Sequence, residues 1–326
     1  SVRALGRRWK CLGMAFSKAS YLGQESWMLR TRRFVMHVLP GLGAKIASVY
    51  DTERRFEYLF QPADGSYRVP NGQAAFSDHD TSGMDDMLPT IDECALTAGG
   101  HAYRLGDHGE AWRVPWLCVP DGDALACGVD LATMPLRFRR VIRADGDDAF
   151  TLGYRLENLS DHELPCLWAL HALNTLTDDA ELRVPRPGEP VVSVQDSGFL
   201  GAEGSVHAYP RAASQSTDFD LSRPGRLPAG MTGKFYFSHG GGAGTASVVY
   251  PSTGCAWRID YDPADLPELG VWINTGGFKN ERNLAVEPSN AFYDRLDRAV
   301  DYGRVSRIPP RGSKEWIIRI TLASVD

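Results

Sequence analysis

With 326 residues, an apolar fraction of 43% and a charged fraction of 23%, the chain has the length and composition of a globular protein with a large buried core. Thirty-five Lys and Arg against 41 Asp and Glu give a net charge of −6, which offers no general attraction to phosphate backbones or anionic lipid and argues against a nucleic-acid or membrane partner. No apolar run reaches the roughly 18 residues needed to span a bilayer.

The first elements along the chain are Arg7, Arg8 and Lys10 before "CLGMAF", a segment too short and too interrupted to read as a signal peptide. Cys11, Cys94, Cys118, Cys127, Cys166 and Cys255 form no C-x-x-C pair. That pattern is expected of reduced thiols in the cytoplasm rather than of a disulfide framework or a zinc site. Strand candidates follow at "RFVMHVL", "AKIASVY" and "RFEYLF". "LRFRRVIR" (136–143), the acidic turn "ADGDDA" and "FTLGYRLE" (150–157) read as an antiparallel hairpin. In its second arm Phe150, Leu152, Tyr154 and Leu156 share one face, and near the end of the chain Trp316, Ile318, Ile320 and Leu322 do the same.

Between these lie "KFYFSH", "ASVVY", "AWRIDY" and "GVWINT" as further strands, and "SNAFYDRLDRAVDYG" (289–303) as the best candidate for a helix, itself short. The patch "SHGGGAGTAS" (238–247) reads as a loop or tight hairpin, because its glycines cost too much entropy inside a strand. It lacks the order of a phosphate-binding loop. Many strands, few helices, and neither repeat nor low-complexity linker predict an all-β protein: one large antiparallel β-sandwich over residues 1–326.

Several polar residues sit where chemistry is conceivable. In "SGMDDMLPTID", Asp85 and Asp86 are adjacent acids that either clamp sugar hydroxyls or cap a turn. "DHGEAWRVPW" places His108, Glu110 and Arg113 beside Trp112 and Trp116. Polar groups next to flat apolar rings suit a pyranose, which has hydroxyl edges and C–H faces, but also suit a loop over a core. In "CLWALHALN" His171 shares parity with Leu167, Ala169 and Leu173, so its imidazole is expected on a desolvated face, as a core histidine or as a proton donor. Glu287 follows Leu284, Ala285 and Val286 and precedes Pro288. A carboxylate at the end of a buried strand has a raised pKa unless donors surround it, which suits a general base. Asp260 and Asp262 share a strand face, with Trp272 and Asn274 on the next strand. The cluster Asp78, His79 and Asp80 could hold a metal, but solvation of a loop explains it as well, and no metal is predicted.

Taken in order, "PGLGAKIASVYD", "GMDDMLPTI", "DHGEAW", "YRLENLSDHELPCLWALHALN", "LGVWINTGG" and "LAVEPSN" resemble the aldose 1-epimerase family, the galactose mutarotases and their relatives. The resemblance spans residues 40 to 290. It implies a galactose mutarotase-like β-sandwich with a monosaccharide, an aldohexose or close relative, in a cleft on one sheet, and an acid–base reaction that needs no cofactor. It carries the family's catalytic residues onto His108, His171 and Glu287. Asp85, Asp86, Glu110, Trp112, Arg113, Asp260, Trp272 and Asn274 are the candidates for substrate contacts, with Arg104 open beside Arg113 and Asp262 beside Asp260. The implied activity is interconversion of α and β anomers through the open-chain aldehyde. A carbohydrate-binding or regulatory protein, or a glycoside hydrolase or polysaccharide lyase on the same sandwich, stands as the alternative. Which aldose, whether it is phosphorylated, and the oligomeric state are open at this level.

Overall fold

The computed structural model describes residues 15–70 and 75–325; the basic segment before "CLGMAF" and Cys11 lie outside them. Two large antiparallel sheets dominate. One has twelve strands, ordered from one edge Ser17–Tyr21, Gln24–Arg30, Phe34–Leu39, Lys45–Asp51, Met84–Met87, Ala169–Thr175, Arg282–Ser289, Glu268–Thr275, Thr232–Phe237, Pro190–Ser193 and Val206–Ala208, with Phe56–Glu57 paired to Lys45–Asp51 off this path. The other has eight: Glu181–Arg183, Thr245–Tyr250, Cys255–Tyr261, Ser313–Ser324, Ala149–Asn158, Leu136–Ala144, Ala124–Asp130 and Leu117–Asp121.

The alternation seen in the sequence sets which face of each sheet is buried. Phe150, Leu152, Tyr154 and Leu156 are all buried, as are Trp316, Ile318, Ile320 and Leu322, while Ile317 between them is 63% exposed. The inward faces of both sheets merge into one hydrophobic cluster. Phe34 of the twelve-stranded sheet meets Phe150 of the other at 5.8 Å between ring centres, and Tyr58 meets Trp257 at the same spacing. This is the predicted sandwich, and its core leaves the opposite face of the larger sheet free for other uses. Leu170 and Ala172, like Leu284 and Val286, point into the cluster. By the two-residue period of a strand, His171, Leu173, Ala285 and Glu287 therefore stand on the far face.

The hairpin forms as predicted, Leu136 to Ala144 pairing with Asn158 back to Phe150. Of the two readings open for the glycine-rich patch, the loop is the one found: it carries the chain from Thr232–Phe237 in the larger sheet to Thr245–Tyr250 in the smaller. The helix within 289–303 is cut to Leu296–Asp301, because strand pairing runs to Ser289 and the Asn290 side chain is spent accepting from the Trp168 N–H, 2.7 Å away. No helix among the described residues is long and apolar enough to cross a membrane.

Candidate active site

The register of the larger sheet decides where the site can be. Ala169 pairs with Ser289 and Leu173 with Ala285, which sets His171 opposite Glu287 on adjacent strands and on the same face. Directly opposed residues of an antiparallel pair have Cα atoms about 4.5–5.5 Å apart. Two groups 116 positions apart in the chain are thus neighbours, and both line a cavity of about 390 Å³ over that face of the sheet.

Glu287 is fully buried. Its Oε2 accepts a hydrogen bond from Lys234 Nζ at 2.7 Å, while Oε1 has no partner in the protein. Burial drives its pKa up; the Lys234 ammonium opposes this and Asp294 reinforces it. His171 is 6% exposed, and its Nδ1 also has no partner. Burial pushes its pKa well below 6.5, helped by His108, Lys234 and Lys45 nearby. Desolvation thus acts on both groups against their charged forms.

His108 reaches the cavity from a loop rather than a strand. Its backbone lies in the left-handed region at φ +57°, followed by Gly109 at φ +75°. A Cβ on Gly109 would sit 2.2 Å from the carbonyl oxygen of Leu88, so only glycine lets the loop approach the strand here. Such strained positions persist where surrounding contacts over-determine them. His108 Nδ1 lies 2.6 Å from Asp107 Oδ1, and the other oxygen of Asp107 accepts from the Phe76 backbone N–H at 2.7 Å. The ring stacks on Phe76 at 4.1 Å and stands edge-on to His171 at 5.5 Å. Nε2 is then the nitrogen left to meet a ligand.

Among the proposed substrate-contact residues, Trp272 alone lines this cavity. Its indole N–H donates to Asn283 Oδ1 at 2.9 Å. Asn274 is buried just behind: it bonds the carbonyl of Phe278 and accepts from Gly276 and Phe278 N–H groups, shaping the turn that closes one side. Trp112 is 3% exposed and packs edge-on behind Phe76 at 5.0 Å. Glu110 turns away to accept from Ala132 N, Thr133 N and Thr133 Oγ1, clasping a distant turn. Arg113 stands beside Gly106, outside the cavity.

Asp85, the cross-strand neighbour of His171, is sealed under the site in an ion pair with Lys45 at 2.6 Å. Asp86 points into the core between the sheets, bound by Arg140 and Trp168. Asp260 belongs to the other sheet, where Arg258 holds it at 2.8 Å. Each of these acids is held by a basic neighbour away from the cavity, although Asp85 Oδ1 is left buried without a partner. The possible metal cluster is similarly engaged: His79 Nδ1 donates to the Ala75 carbonyl at 3.0 Å, and Asp80 pairs with Lys45 at 3.2 Å.

Sequence reasoning missed Phe76, Lys234 and Asp294, all at the cavity. A Lys at an alternating strand position reads as solvent-facing, and nothing in "KFYFSH" marks it otherwise. A usable signal for Asp294 was its place seven residues after Glu287, just beyond the strand Arg282–Ser289.

No protein-family model matches this chain, and no curated protein matches it. Solved structures do. A galactose mutarotase-like protein from Lactobacillus casei superimposes with a TM-score of 0.66 at 15% identity, covering 91% of this chain and 100% of that one. A galactose mutarotase-like protein from Clostridium acetobutylicum gives 0.66 at 12% identity, with 95% and 98% covered. A galactose mutarotase related enzyme from Lactobacillus acidophilus gives 0.65 at 13%, with 92% and 98% covered. Likeness at this identity is likeness of fold, and the chain has the galactose mutarotase-like fold.

Proposed function

We propose that the protein is an aldose 1-epimerase acting on a free aldohexose or close relative bound in the 390 Å³ cavity. One observation carries the reading: Glu287 and His171, opposed on adjacent strands, face one cavity, with Glu287 Oε1 and His171 Nδ1 buried and unpartnered. A buried polar atom without a partner costs stability, so the arrangement makes sense where a ligand supplies the missing partners.

The reaction needs one group to take the proton from the C1 hydroxyl and another to protonate the ring oxygen. The ring then opens to the aldehyde, C1–C2 rotates, and the same groups reverse their roles as it closes on the other face. Glu287 Oε1 serves as base and His171 as acid. The environment of Glu287 suits its task, since a carboxylate with raised proton affinity is the stronger base; burial holds His171 neutral in the unliganded protein, so it takes up a proton before it serves as acid. His108, its Nδ1 occupied by Asp107, presents Nε2 to hold or polarise the sugar, and Trp272 offers a flat apolar wall to its C–H face.

A hydrolase reading has less support, since it requires two carboxylates set across a glycosidic bond. Glu110 and Asp85 do not line the cavity; of the carboxylates that do, Asp107 and Asp294 are tied to His108 and Lys234 and Glu281 accepts from Thr81 Oγ1, which leaves Asp92 for that role beside Glu287. Polarimetry on freshly dissolved α-glucose and α-galactose tests the proposal. Faster approach to an unchanged final rotation is expected. Binding without acceleration, or the release of new reducing ends, would overturn it.

A further inference from the structure

Among the described residues, Lys234 is the lysine that lines the cavity and touches the proposed base. It lies on Thr232–Phe237, two strands from Glu287, with Glu268–Thr275 in between. The register puts Gly270 between Glu287 and Tyr236. A Cβ there would lie 3.0 Å from Tyr236 Cζ, so the missing side chain lets the Tyr236 ring lie over the middle strand toward Glu287. Across that strand the Lys234 ammonium meets Glu287 Oε2 at 2.7 Å and Asp294 Oδ1 at 2.9 Å. Tyr236 Oη donates to the same Asp294 oxygen at 2.7 Å. Tyr236, Asp294, Lys234 and Glu287 thus form one buried chain of polar contacts that ends at the unpartnered Oε1.

On the reading that Glu287 is the base of a mutarotase, we propose that Lys234 is a positioning residue for that reaction: its ammonium, clamped by Asp294, holds Glu287 ionised and turned so that Oε1 faces the sugar. The charge balance requires such a partner. Glu287 is faced by Asp294, His108 and His171 as well as by Lys234, with Asp92 beside Asp294 and Lys234 at the same cavity, and Lys234 is the permanent cation among them. Without it two desolvated carboxylates would share one pocket, and one would take up a proton. The lysine keeps its own charge because Asp294 and Glu287 together outweigh the burial that lowers its pKa.

The test uses Lys234→Met and the double variant Lys234→Met/Asp294→Asn, which removes one charge of each sign and so guards against loss of folding. In each, the Glu287 carboxyl is titrated directly by ¹³C NMR in the unliganded protein, assigned with Glu287→Gln, and mutarotation is followed across pH. The expected result for Lys234→Met is a Glu287 titration and an acid limb of kcat both moved upward by about one to three pH units, an opposite charge at this range being worth that much; in the double variant, which also loses the opposing Asp294 charge, the upward shift is smaller. At fixed pH below the new limb kcat falls by at least about tenfold, with KM unchanged. A Glu287 titration that does not move, or a lowered rate with an unmoved acid limb, overturns the inference. A wild-type protein with no mutarotase activity but a clear titration shift in the variants fails the functional reading alone. An active wild type whose variants titrate as it does fails the inference alone.

Discussion

Glu287→Gln separates chemistry from architecture at this site. The substitution keeps the shape of the side chain and leaves a carbonyl oxygen to accept from Lys234, now at 2.7 Å from Glu287 Oε2, while Lys234 retains Asp294 at 2.9 Å. The buried cluster loses one of its two carboxylate charges and becomes neutral overall, Lys234 against Asp294. Folding stability should therefore be preserved, because no buried charge is left unpaired, which is the outcome that costs several kcal/mol when an ion pair is broken. The chemistry is another matter. A positioned general base contributes about 10²–10⁴-fold, so kcat for mutarotation should fall by at least about two orders of magnitude, equivalent to about 3 kcal/mol of transition-state stabilisation. Polarimetry on fresh α-galactose or α-glucose measures the rate, and thermal unfolding followed by circular dichroism measures the fold. A variant that keeps wild-type turnover would remove Glu287 from the mechanism, and one that loses activity together with its folded structure would show the residue to be architectural.

The other expectations follow from neighbouring geometry. His171→Asn keeps a polar group on the strand but deletes the proton donor, and mutarotation should slow by at least about 100-fold with an unchanged circular dichroism spectrum; a normal rate would pass the acid role to His108. Gly109→Ala forces a Cβ to within 2.2 Å of the Leu88 carbonyl oxygen at φ +75°, so it should lower the melting temperature by an amount equivalent to about 1–3 kcal/mol and weaken sugar binding by displacing His108, both absent if the loop moves freely. Glu57, bonded to Ser48 Oγ and to the Val49 and Leu59 N–H groups, has its pKa pushed up by burial to about 7 from 4.5. The folded state then holds a proton that the unfolded chain releases, so stability falls as pH rises from 4.5 through 7. At about 1.4 kcal/mol per unit this amounts to about 3 kcal/mol. Denaturant titrations at pH 5 and pH 8 should show that loss in the wild type and not in Glu57→Gln; equal losses in both would refute the assignment.

Period-two alternation made the strands legible, and with them the two-sheet core, because burial of one face is written into every second residue. It could not say what covers the other face. Asn283, Ala285 and Glu287 alternate with Leu284 and Val286 as any exposed face would, yet here loops roof that face and turn its polar residues into a cavity lining. Lys234 in "KFYFSH" hides for the same reason. Next to His108 and Trp112 in the chain Glu110 looks like part of a sugar cleft, while its side chain accepts from the N–H groups of Ala132 and Thr133, which no local spacing foretells. Asp260 and Trp272, twelve positions apart, look like adjacent walls, yet the chain changes sheets between them.

The contrast between the three central residues has a consequence for how such a site can vary. His171 and Glu287 are set by the ladder itself, since a one-residue slip of either strand in the register that pairs Ala169 with Ser289 would send that strand's member of the pair to the core face. Their relative placement is therefore as rigid as the sheet. His108 depends instead on a single left-handed loop position, on the absence of a Cβ at Gly109 and on stacking against Phe76. Loop substitutions can move or replace it, along with Phe76 and the turn at Gly277, without disturbing the strands. On the proposed reading, the architecture fixes the proton-transfer pair, and the choice of sugar falls to the loops around it.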